Sequence, residues 1–109
     1  RLVAVGTGAL AANSTADANN AVGYRAGNAV TTGESNVAIG FDALLVNTTG
    51  ANNVAIGSVA LDANDTASAN TAIGMSAMTD NTTGAENVAI GKDALKSNTT
   101  ASRCRVYGR

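Results

Sequence analysis

The sequence predicts an all-β fold, a parallel β-solenoid of about six 17-residue coils, and three observations carry that reading. Glycine recurs at a constant interval: Gly6, Gly23, Gly40, Gly57, Gly74, Gly91 and Gly108 stand 17 residues apart with no insertion. Each unit holds one short β-branched run closed by that glycine, followed by an Asn- and Thr-rich turn. Bulky residues are scarce: the 109 residues include three aromatics (Tyr24, Phe41 and Tyr107) and no proline. A core of Ala, Val, Ile and a few Leu suits a thin repetitive layer better than the varied interior of a globular domain.

The columns keep phase along the whole chain, which is therefore read as a single repeat segment over 1–109, with its first and last copies partial. Ala4, Ala21, Ala38, Ala55, Ala72 and Ala89 stand two residues before the glycine, with Val106 in the last copy. Val5, Val22, Ile39, Ile56, Ile73, Ile90 and Tyr107 stand directly before it. Ala26, Ala43, Ala60, Ala77 and Ala94 follow three residues after it, each with Leu or Met behind except at Gly27. An Asn column follows at Asn13, Asn47, Asn64, Asn81 and Asn98, with Val30 breaking it. The Thr row from Thr15 to Thr100 is unbroken, and a second Asn column runs Asn19, Asn36, Asn53, Asn70, Asn87 and ends at Cys104. Because the chain opens at Arg1 inside a repeat, it is read as part of a longer fibre.

A 17-residue unit is too short for helical-pair repeats, which need about 33 to 47 residues. The run Asn36-Val37-Ala38-Ile39-Gly40 reads as a strand. A bend at the glycine, a second strand near Ala43-Leu44 and an Asn/Thr corner then complete one coil. Coils pairing in parallel about 4.8 Å apart would make a rod roughly 30 Å long.

Strand neighbours point to opposite faces. Both residues are apolar in Ala38-Ile39, Ala55-Ile56, Ala72-Ile73 and Ala43-Leu44, so both strand faces are expected to be covered. One face would meet the coil interior and the other a second chain. A lone thin coil orders its whole backbone for few apolar side chains; a homo-oligomer is expected to make up the burial.

These residues carry a resemblance. The tandem Asn-x-Ala-Ile-Gly-x-x-Ala resembles the haemagglutinin-type repeats of trimeric autotransporter adhesin heads. The form Asn-Thr-Thr-Gly-x-x-Asn-Val-Ala-Ile-Gly is also similar to repeats in phage tail fibres. The resemblance covers all seven copies, although the 17-residue unit is longer than the adhesin unit. It implies a left-handed β-roll in a homotrimer, placed at a virion or extracellular surface. Its role would be to hold a receptor-binding part, for a host-surface receptor or glycan, away from the particle or cell.

Five Asn-x-Thr sequons (at Asn13, Asn47, Asn64, Asn81 and Asn98) fit N-glycosylation, but they also fit one turn column repeated, with Asn side chains stacking along the axis. The latter reading places Asn47, Asn64, Asn81 and Asn98 at a buried corner. The Thr row raises an alternative function, an ice-binding solenoid. In extended backbone, however, Asn and Thr two apart share a face, which would turn the Thr row inward. The pair after each glycine varies freely, as at an exposed bend. The eight carboxylates recur in no column and read as solvated surface, with no calcium-loop spacing.

With no histidine and one cysteine, no nucleophile, base or metal set converges, so no enzyme activity, cofactor or metal is expected. A net charge of −1 gives no reason to expect nucleic acid as a partner. Arg103, Arg105 and Arg109 cluster at the C-terminal end, a weak local signal. No apolar stretch approaches the roughly 20 residues that span a bilayer, so no membrane insertion is expected.

Overall fold

A computed structural model describes residues 1–108 as seven three-residue strands. They are β1 (Val3–Val5), β2 (Asn20–Val22), β3 (Val37–Ile39), β4 (Val54–Ile56), β5 (Thr71–Ile73), β6 (Val88–Ile90) and β7 (Arg105–Tyr107). Arg109, grouped above with Arg103 and Arg105, lies outside the described residues. The strands form one sheet in chain order, and each adjacent pair is parallel. The register does not slip: Ala38 pairs with Ala55, Ala55 with Ala72 and Ala72 with Ala89. A chain that returns to the same row every 17 residues is a β-solenoid, with about six turns here. Its extents are 32 × 20 × 17 Å, and the long axis is close to six inter-strand spacings of about 4.8 Å.

The glycine column explains why one residue type recurs at the end of every strand. Gly57 has φ +131, and a Cβ there would lie 2.6 Å from the carbonyl carbon and oxygen of Gly74 in the next coil. Backbone rides on backbone at that corner, so any side chain would force the coils apart. The glycine of Asn-Thr-Thr-Gly differs. Positive φ is expected of it from turn chemistry, yet Gly50 and Gly84 lie outside that region, as does Gly33 in the same column. Their column also accepts Ala16, Ala67 and Ala101.

Only three residues per coil are strand because three others bend it. Leu44, Leu61 and Met78 have φ of 54°, 51° and 53°, and the left-handed conformation recurs at Asp42, Val59 and Ser76 and at Ser35, Asn52 and Ala69. Non-glycine residues rarely adopt it. Here each sits at a corner held by bonds to the neighbouring coils, such as Leu44 N–H to Ala60 O at 2.9 Å and Val59 N–H to Phe41 O at 2.8 Å.

This corrects the expected second strand. Ala43-Leu44 is a turn, and the positive φ of Leu44 cancels alternation, so both side chains point inward and are buried. Alternation survives in the one true strand: Ala55 is fully buried, while Val54 and Ile56 beside it face outward and are half-covered.

The core is three apolar columns, the strand Ala, the Ala after the bend and the Leu or Met behind it, flanked by two files of Asn. The second coil departs from it twice, and the departures compensate. Gly27 leaves out a leucine and Val30 replaces an asparagine with a fully buried branched chain, so apolar volume moves across the interior.

Candidate functional site

Two asparagine ladders hold the coil closed. In the fourth coil, Asn53 Nδ2 and Asn64 Nδ2 both donate to Ala67 O, at 2.9 and 3.0 Å. Gly50 O and Gly84 O are clamped the same way, by Asn36 with Asn47 and by Asn70 with Asn81. Asn64 Nδ2 also donates to Asn47 Oδ1 at 2.8 Å, and Asn81 and Asn98 continue that file. In the other file, each Oδ1 accepts the backbone N–H one coil on: Asn36 from Asn53, Asn53 from Asn70 and Asn70 from Asn87. Buried amides that bond on every side are structural.

The sequons resolve accordingly. Asn47, Asn64 and Asn81 are fully buried with their amide nitrogens donating inward, so no glycan can sit on them in this fold. The second file, from Asn19 to Asn87, is visible in the sequence as a column. Its bond to the next coil's backbone depends on an inward orientation that spacing alone does not supply.

The Thr row is a correction. Thr32, Thr49, Thr66, Thr83 and Thr100 are exposed, not inward with Asn, because the Asn/Thr corner is bent and the two-residue rule of extended chain fails there. The column before them also points outward, and three of its hydroxyls reach back to the next coil: Thr31 Oγ1 to Thr48 O, Thr82 Oγ1 to Thr99 O and Ser14 Oγ to Thr31 O.

The bend after each glycine is mixed. Tyr24 and Phe41 are about half exposed (48% and 51%) and stack with centroids 5.5 Å apart at 12°. Arg25 lies 5.1 Å over the Tyr24 ring and donates from Nε and Nη2 to the two oxygens of Asp42, at 2.9 and 2.7 Å. That fork keeps the Arg25 guanidinium above its ordinary pKa. Asp42 is buried, which corrects the reading of all carboxylates as solvated.

Asp62 departs from it too. Its Oδ1 is buried with no hydrogen-bond partner, and partial burial raises its pKa, helped by the charges of Asp42 and Asp80. An acid whose folded pKa lies above its unfolded one favours folding while protonated and opposes it once ionised. Asp62→Asn is therefore expected to melt higher than the wild type at pH 7. The gap should close as pH falls toward the ordinary Asp value of about 3.9, as thermal melts across that range would show.

The outer sheet face is mostly apolar, interrupted by Asn20, Thr71 and Arg105. Val22, Ile39 and Ile90 are about two-fifths exposed, and Val37, Val54, Ile56, Ile73 and Val88 stand half-covered between them. Among the described residues there is no enclosed pocket and no group of three side chains able to hold a metal ion. Comparison with known proteins finds no matching family model, curated protein or solved structure.

Proposed function

We propose that this chain is a structural segment of a phage tail fibre or bacterial surface adhesin, assembling as a left-handed homotrimer that supports attachment to a host at a virion or extracellular surface. One observation supports the reading above others. The inner face of the parallel sheet is covered by its own coil, whereas the outer, mostly Val/Ile strip, roughly 30 Å long, is only half-covered in the single chain. Parallel sheets are ordinarily covered on both faces, and an in-register strip suits identical copies around an axis. The role is mechanical: a stiff spacer whose length is set by the number of coils. The resemblance to adhesin heads and tail fibres supplies the handedness and the count of three.

Ile56→Asp tests the strip. Its side chain points away from the core, so the coil is expected to keep its circular dichroism while the sedimenting mass drops to that of one chain. A variant that stays assembled would exclude this face as the contact.

A second reading, an ice-binding solenoid, is favoured by the outward Thr row. That row is one residue wide and its neighbouring column is partly tied to backbone, which leaves little area for lattice matching. Thermal hysteresis of the purified segment decides between the two, and the fibre reading expects none.

A further inference from the structure

We infer that the second coil is held to the third from outside, by a surface clasp that stands in for missing interior bonds, and that releasing the clasp frees the first two coils as a unit. The interior shortfall lies in the first asparagine file. Asn64, Asn81 and Asn98 each donate twice, to the amide oxygen one coil below and to a carbonyl of their own coil. Asn47 has Val30 in the row below it and donates once, to Gly50 O. The carbonyl of Gly33 takes a single side-chain amide, from Asn19, where Gly50, Ala67 and Gly84 each take two. Val30 restores apolar volume to the second coil but none of these bonds. The second file runs on unbroken through Asn19 Oδ1 and the Asn36 N–H, so the junction is thinned, not cut.

Outer bonds gather where the interior is thin. Arg25 forks onto both oxygens of Asp42 in the third coil, and Tyr24 stacks on Phe41 beside it. On the other side of the same coil, Asn28 Nδ2 donates to Gly8 O of the first coil at 2.9 Å. The same columns elsewhere hold Val59 and Ser76, or Leu45 and Thr79, and Thr79 bonds within its own coil. Exposed ion pairs contribute little, and Arg103–Glu86, farther along the rod, is one of these. Asp42 is buried, and a forked guanidinium on a buried carboxylate is the stronger kind.

A stack of coils opens locally where the bonds between neighbours are fewest. With the clasp shut, the first two coils share the stability of the rod. With it released they come away together, while the third to sixth coils keep an unbroken file from Asn47 to Asn98. The joint goes beyond the fibre reading and does not depend on the number of copies.

Hydrogen exchange of the whole chain, read coil by coil, tests it. The clasp-free variant is Tyr24→Ser with Arg25→Ser and Asp42→Ser, which leaves no stranded charge; Ser58 and Ser76 show that both columns accept serine. Its amides at 20–30 are expected to exchange about tenfold faster or more, the loss of a charged fork, with those at 71–81 unchanged. Gly27→Leu with Val30→Asn then repairs the interior, giving the second coil the Ala-Leu-x-x-Asn of the third and fourth. Gly27 has φ +59, close to the 54° of Leu44, and a Cβ there meets only the flexible end of Leu10 at 3.1 Å. Added to the clasp-free variant, the repair is expected to return exchange at 20–30 to the wild-type rate.

Unchanged exchange in the clasp-free variant, protection lost evenly along the rod, or a folded repaired chain that still opens at 20–30 would each overturn the joint. Should the repaired chain not fold, the clasp-free variant alone decides, by whether its lost protection stops at the third coil.

Discussion

Ala55→Asp is expected to prevent the coil from forming. Ala55 is fully buried in the central strand β4, in register with Ala38 below and Ala72 above. The interior around Ala55 is apolar, and the amides that flank it belong to asparagines already bonded to one another and to backbone. No lysine or arginine is buried among the described residues, and Arg25 is spent on Asp42. An unpaired buried carboxylate costs several kcal/mol, a large part of the 5–15 kcal/mol typical of a domain. Circular dichroism should show no cooperative melt. Ile56→Asp, one residue later, is expected to fold, so the two neighbours separate the inside of the coil from its outside. A folded Ala55→Asp would mean that the register is wrong.

Asn53→Ala is expected to cost about 1–3 kcal/mol, seen as a lower melting temperature with the circular dichroism at low temperature unchanged. Its Oδ1 accepts the backbone N–H of Asn70 at 3.0 Å, and its Nδ2 reaches Ala67 O. The substitution strands a buried backbone donor that water cannot reach, the expensive kind of loss. Asn64→Ala removes bonds to Asn47 Oδ1 and Ala67 O and an acceptor for Asn81. Those partners are side-chain amides or a carbonyl that keeps its bond from Asn53, so Asn64→Ala should fall at the low end of the same range. Equal melting temperatures for both variants and the wild type would remove the ladders from the stability account.

The architecture was legible because a 17-residue period with in-phase Gly, Ala and Ile columns leaves little but a stack of coils. Alternation within the strand was legible too, because it holds where backbone is extended, but not which face turns inward: the structure puts Ala55 inside and Ile56 outside. It failed at Ala43-Leu44 and along the Thr row for one reason. Left-handed residues such as Leu44 and Asn52 turn the chain, and Leu, Ala and Asn do not announce positive φ as glycine does. The Arg25–Asp42 fork and the Tyr24–Phe41 stack were missed because they join adjacent coils within a column treated as freely variable. Reading that column along the axis, 17 residues at a time, places both pairs side by side.

The central claim is that the Val/Ile strip is covered by identical copies, and sedimentation equilibrium of the wild-type chain tests it most directly. Three chains of 10.7 kDa give about 32 kDa, and the account predicts that mass at micromolar concentration. A cooperatively folded species at 10.7 kDa would contradict it. The strip would then stay half-covered in solution, and the lone ice-binding solenoid would become the leading reading.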